Sequence, residues 1–67
     1  MLDEADIRHE IVVQRLMGRL QSHARELNLN DGLVRHIVSR VIRDMPLCPD
    51  DERVSEARQW MAIAATM

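Results

Sequence analysis

The side chains that could bind a metal or transfer protons are few and widely spaced in this 67-residue sequence. His9 and His23 are 14 residues apart, which is roughly 21 Å along a helix and too far for one metal site within a single chain. Cys48 is the only cysteine, and His36, the histidine nearest to it in the sequence, is not at a metal-ligand spacing. We therefore expect no metal ion, no intrachain disulfide and no other cofactor.

Patterns typical of catalysis or phosphate binding are also missing from the sequence. It has no Ser/His/Asp set with a supporting motif, no pair of cysteines and no HExxH motif. Gly18 and Gly32 are the only glycines, so a glycine-rich phosphate loop is absent. A chain of this size also struggles to enclose a pocket of roughly 300 Å³. We expect a protein without enzymatic activity; the alternative is an active site built at a dimer interface.

The composition predicts one folded domain over residues 1–67, because 46% of the residues are hydrophobic and 30% are charged. No apolar run approaches the roughly 18 residues that a membrane span needs, and the acidic segment 1–10 has the wrong charge for a secretory signal. We expect a cytoplasmic location and no membrane partner. All nine basic residues are arginine, which indicates a GC-rich genome or selection for the planar contacts that arginine makes. We expect a bacterial-type protein.

A long first helix is predicted from about Asp3 to Leu27. Asp3 can cap its start, and Asn28 tolerates the left-handed conformation in which helices often finish. At about 100° per residue, one stripe of this helix is apolar and should face the core. The stripe comprises Ala5, Val12, Val13, Leu16, Leu20, Ala24 and Leu27.

Two shorter helices follow, so the predicted fold is an all-α domain of three helices. The second starts at Asn30 or Asp31 and runs to about residue 45, because Pro46 disfavours helix in the residue before it. The third covers about residues 50–65, since Pro49 and the acids after it are a strong helix-start signal. The predicted core residues of these helices are Leu33, Val34, Ile37, Val38, Val41, Ile42, Met45, Val54, Ala57, Met61, Ala64 and Ala65.

The first helix has a second apolar patch, roughly opposite its core stripe. Ile7 and Ile11 lie there, and Gly18 and Ser22 continue the line with small residues that could let another helix approach closely. A chain this short buries only roughly 60% of its unfolded surface, so a second subunit would enlarge its core. We expect this line to contact a partner in a symmetric dimer. The alternatives for Gly18 are packing of the third helix against it, a kink, or no role.

A second candidate surface is formed by Trp60, Ile63 and Met67, which lean to one side of the third helix. Tryptophan is a frequent hot spot of protein interfaces. The alternative is that Trp60 belongs to the core, which is the usual place of a lone tryptophan in a small domain. We expect Trp60 and Ile63 to take part in an interface.

Arginines line exposed flanks of the first two helices. They predict either a solvated face with ion pairs or a site for an acidic partner or nucleic acid. Nucleic acid is the second choice, because the chain is slightly acidic and has no Phe or Tyr to stack on bases. The candidate residues are Arg8, Arg15, Arg19, Arg35, Arg40 and Arg43.

These features favour a regulatory or adaptor function that is carried out through protein binding. We expect a small cytoplasmic protein that uses helix faces to bind another protein and that is itself a homodimer. One alternative is a small DNA- or RNA-binding transcriptional regulator that uses the arginine face of the second helix. Another is an accessory subunit of an enzyme complex. No motif in the sequence is specific enough to name the partner.

Overall fold

A computed structural model describes residues 3–67, which form three helices and no strand. The first helix, α1, spans Glu4–Glu26, α2 spans Asp31–Asp44, and α3 spans Asp50–Ala65. The predicted all-α fold, with one long N-terminal helix and two shorter helices, is confirmed. The predicted boundaries agree with the observed ones to about one residue.

Local capping explains where α1 and α2 begin and end. The Asp3 carboxylate accepts a hydrogen bond from the Asp6 amide at 2.9 Å, and the Asn30 side chain accepts one from the Leu33 amide at 2.8 Å. These bonds satisfy amides that have no partner within the helix. Asn28 has a φ of 57°, the left-handed conformation predicted for the end of α1.

The start of α3 is held by a buried arginine that the sequence pattern did not predict. Arg53 is 8% exposed, and its guanidinium donates to the carbonyls of Met45 at 3.0 Å and Pro46 at 2.7 Å. It also lies 3.4 Å from the carboxylate of Asp50. These contacts fasten the segment between α2 and α3 to the first turns of α3.

The three helices run up, down and up, with α2 antiparallel to both of its neighbours. The beginning of α2 borders the same cavity as Ala24 near the end of α1, and Ser39 further along α2 meets His9 near the start of α1. The last turns of α3 return to Leu33 at the start of α2. All three pairs of helices are in contact.

The core draws on one stripe from each helix. Its buried apolar residues are Val13, Leu16, Leu20, Ala24, Val34, Ile37, Val38, Val41, Ile42, Val54, Ala57 and Met61. The predicted stripes are wrong only at their outer ends, where Ala5 and Ala65 are exposed. Both lie in the outermost turn of their helix, where neighbouring helices give less cover.

Candidate interaction surfaces

One exposed face of α1 carries apolar and small residues between two charged ends. We call it the outer strip. Ile7 is 47% exposed and Ile11 is 57% exposed, and at about 100° per residue the other strip residues share their face. The outer strip comprises Glu4, Ile7, Ile11, Gln14, Gly18, Ser22 and Arg25, all exposed.

Gly18 lies in open space on the outer strip. A Cβ atom added there would meet no atom within 4 Å beyond its own helix turn. The alternative in which α3 packs against Gly18 is therefore wrong. Gly18 instead borders a shallow cavity of about 220 Å³ between α1 and the start of α2.

Ion pairs to the other two helices bound the outer strip on both sides. On one side, Arg35 of α2 donates to the carboxylate of Glu10. On the other side, Arg15 donates to both carboxylate oxygens of Asp50, at 2.6 and 3.2 Å, and Arg19 lies 2.8 Å from the carboxylate of Asp51. These pairs cancel the charges along both flanks of the strip and join α1 to α2 and α3.

The ion pairs also change the acidity of the groups that form them. The hydrogen bond from Arg35 holds the pKa of Glu10 below its ordinary value of 4.5. The hydrogen bond from Arg15 likewise lowers the pKa of Asp50 from 3.8, and Asp50 in turn raises the pKa of Arg15. Each carboxylate thus stays charged to a lower pH than it would in the unfolded chain.

The arginines predicted to bind an acidic partner or nucleic acid are mostly engaged within the chain. Besides the three flanking pairs, Arg8 lies 2.6 Å from the carboxylate of Glu4, and Arg40 lies 3.6 Å from that of Asp44. Within residues 3–67, Arg43 alone of the six candidates has no ion pair. The observed arrangement is therefore that of paired surface charges, with the arginines spread over several faces.

A second apolar surface lies between α2 and α3, and we call it the α2–α3 groove. Ile63 is 62% exposed and Met67 is 98% exposed. Trp60 is half-buried, and its indole Nε1 donates to the carboxylate of Glu56 at 2.9 Å. The groove encloses about 240 Å³ and is lined by Leu33, Ile37, Trp60, Ile63, Ala64 and Met67.

The structure thus divides the predicted interface residues into two separate surfaces. Ile7, Ile11, Gly18 and Ser22 share the outer strip of α1, whereas Trp60 and Ile63 lie in the groove. Trp60 packs partly against the core, and its part in an interface stays a prediction. The contribution of α2 to the groove was not predicted, because Leu33 and Ile37 were assigned to the core from their helical spacing.

The histidines do not converge on one site. Nε2 of His9 forms a hydrogen bond with the Ser39 hydroxyl at 3.0 Å, and both His9 and His23 are half-buried. In the part of the chain that the structure describes, Nε2 of His23 is buried without a hydrogen-bond partner. No three His, Cys, Asp or Glu side chains of residues 3–67 are grouped so that they could hold a metal ion.

The sequence does not reveal the ion pairs between helices, because the acids after Pro49 are equally typical of a helix start. Arg53 was missed because it was counted only as a charge. A signal was available for it: Arg53 precedes Ala57 by four residues and Trp60 by seven, which places it near the packed face of α3.

Comparison of the chain with protein-family models, with curated proteins and with solved structures gives no match. None of the helices formed by residues 3–67 is long and apolar enough to cross a membrane.

Proposed function

We propose that this chain is a small cytoplasmic regulatory or adaptor protein that acts by binding proteins through its helix faces, and that it does so as a homodimer. The observation that carries this proposal is the exposure of Ile7 and Ile11, at 47% and 57%, on a face of α1 that the core does not use. Exposed apolar groups clustered on one face are typical of interaction surfaces.

The composition of the core supports the proposal. The buried apolar cluster takes residues from all three helices and includes neither isoleucine. The described helices therefore pack together without covering Ile7 or Ile11. Burying apolar surface is favourable by about 25 cal/mol per Å², so covering both side chains in a complex would contribute to binding.

The presence of two separate apolar surfaces supports an adaptor rather than a simple dimer. The outer strip faces away from the core on α1, and the α2–α3 groove lies on another side of the bundle. A dimer formed through the strip would leave two copies of the groove available. Trp60 and Ile63 would then anchor a partner, since large apolar side chains in a pocket often dominate binding energy.

The nucleic-acid alternative receives less support from the arginines. Binding to a phosphate backbone depends on basic side chains that neutralise phosphates and release the counterions of the nucleic acid, whereas most of the candidates are already opposite carboxylates. A titration with duplex DNA and single-stranded RNA at low and moderate salt tests it. Steeply salt-dependent binding would favour the regulator that uses Arg35, Arg40 and Arg43.

Affinity capture with matched variants tests the adaptor function. Three proteins serve as baits: the wild type, Ile63→Glu and Ala62→Glu. Ile63→Glu places a charge in the groove, and Ala62→Glu places one at the adjacent exposed position of the same helix. We expect the same partners with wild type and Ala62→Glu, and their loss with Ile63→Glu. Recovery of enzyme subunits would identify the adaptor as an accessory subunit. Equal capture by all three baits would contradict binding through the groove.

A further inference from the structure

We infer that two copies of this chain pair through the outer strips of α1 in antiparallel orientation, with Ile11 of each copy over Gly18 of the other. This inference rests on the homodimer proposed above and adds its surface, orientation and register. It follows from the shape and the charge of the strip.

The distribution of bulky and small side chains fixes a register. A two-fold axis between Gln14 and Arg15 sets Ile11 opposite Gly18 and Ile7 opposite Ser22, each pair occurring twice. The space beside Gly18 is open, because nothing beyond the neighbouring residues and backbone of its own helix lies within 4 Å of the Cβ position there. Each half-exposed isoleucine therefore meets a small residue, so that a ridge on one helix faces a groove on the other.

The charges at the ends of the strip fix the orientation. Between its ends the strip is uncharged, with Glu4 near the start of α1 and Arg25 near its end. The same antiparallel register places Glu4 of one copy opposite Arg25 of the other, whereas parallel pairing would bring like charges together. In the antiparallel pair, the positive end of each helix dipole also lies beside the negative end of the other, which is favourable.

Two existing ion pairs are compatible with this arrangement. Glu4 pairs with Arg8 within the same helix, but both side chains are about three-quarters exposed, at 77% and 74%. Such an exposed pair is weak and exchangeable. Arg15 lies close to the proposed axis, and its charge is already cancelled by the bidentate contact with Asp50.

Contact between two single helices is smaller than a standard interface of about 800 Å² per partner, so we expect a dissociation constant in the micromolar range.

Cysteine cross-linking tests the register. In a Cys48→Ser background, Gln14→Cys places the new thiols beside the axis, where a short bis-maleimide should join the two copies. Ser22→Cys is the matched control, because it leaves both isoleucines in place and in this register the two copies of residue 22 are about 22 Å apart along the helix axis. Efficient cross-linking of Gln14→Cys with little of Ser22→Cys is the expected result; efficient cross-linking of Ser22→Cys would indicate parallel pairing and overturn the inference.

Charge reversal tests the pairing of the strip ends. Glu4→Arg and Arg25→Glu should each raise the dimer dissociation constant by up to about tenfold, and the double variant should return it to within about twofold of wild type. Effects on helix stability would instead add in the double variant, and circular dichroism monitors the fold of each protein.

Sedimentation of the wild-type chain distinguishes failure of the inferred register from failure of the proposed homodimer. If it is a dimer but neither the cross-links nor the charge reversal behave as expected, the homodimer of the proposed function stands and this register is wrong. If it remains a monomer at high micromolar concentration, both are wrong.

Discussion

Replacement of Gly18 by alanine should have opposite effects on folding and on self-association. Glycine within a helix destabilises it by about 1 kcal/mol relative to alanine. Gly18 is exposed and has no positive φ, and nothing beyond the neighbouring residues and backbone of its own helix lies within 4 Å of the position that a Cβ would take. The free energy of unfolding of the monomeric variant should therefore rise by this full amount, which corresponds to a melting temperature higher by about 4–8 °C for a domain of this size.

The same methyl group should weaken the dimer. In the inferred register it occupies the space that Ile11 of the second copy fills, and the contact occurs twice. Inserting a methyl group into a packed contact destabilises it by about 1–3 kcal/mol. Two contacts at the lower end of this range amount to about 2 kcal/mol, or roughly a thirtyfold rise in the dissociation constant.

Urea unfolding at two protein concentrations measures both effects. At a concentration well below the dissociation constant, Gly18→Ala should be the more stable protein. At a concentration well above it, dimer formation adds to the stability of the wild type, and the advantage of the variant should shrink or reverse. Sedimentation equilibrium gives the two dissociation constants directly.

Gly32→Ala is the matched control. A Cβ at Gly32 would lie 3.3 Å from the side-chain oxygen of Asn30, which caps α2. The replacement should therefore stabilise the chain less than Gly18→Ala and leave self-association unchanged. A Gly18→Ala variant that associates as tightly as the wild type would refute the close approach at Gly18, whatever its stability.

Three further results are expected. Arg53→Met should destabilise the chain by about 2–3 kcal/mol in urea unfolding, because it removes charge-assisted hydrogen bonds to two carbonyls; an unchanged midpoint would show that the bonds to Met45 and Pro46 contribute nothing. Because their folded pKa values are lowered, Glu10 and Asp50 should contribute stability that is present above their unfolded pKa values and lost as pH falls below about 5, so Glu10→Gln with Asp50→Asn should flatten the acid limb of the stability–pH curve. A curve as steep as that of the wild type would assign the acid sensitivity to other groups. Ile63→Glu should leave the dimer intact, since Ile63 lies in the α2–α3 groove rather than on the outer strip, and a monomeric Ile63→Glu that is folded would place the dimer interface there instead.

The helices of this protein were predictable because their signals are local. Asp3, Asn28 and Asn30 each act within a few residues of their own position, and the structure gives each the role expected from its type. The apolar stripes of α1 and α2 were also recognisable, since a spacing of three and four residues identifies one face of a helix without knowledge of its neighbours.

Contacts between helices were harder to predict, because they depend on how far each helix is shifted along the next. Arg15 and Asp50 are 35 residues apart in sequence, and only the relative placement of α1 and α3 brings them together. For Arg53 the helical spacing indicates only that it lies near the packed face of α3. Its partners are carbonyls of the connecting segment, whose positions the sequence does not fix. The exposed isoleucines of α1, in contrast, were recognised from the angle between two apolar stripes on one helix.

Sedimentation equilibrium of the wild-type chain, Ile11→Asp and Ala5→Asp over low to high micromolar concentrations tests most directly whether the outer strip joins two copies. Ala5 is exposed on another face of the same helix, so its replacement controls for the added charge. We expect a monomer–dimer equilibrium for wild type and Ala5→Asp, and a folded monomer throughout for Ile11→Asp. Dimers of equal affinity in all three proteins, or a wild type that is monomeric at every concentration, would contradict the claim that the outer strip joins two copies.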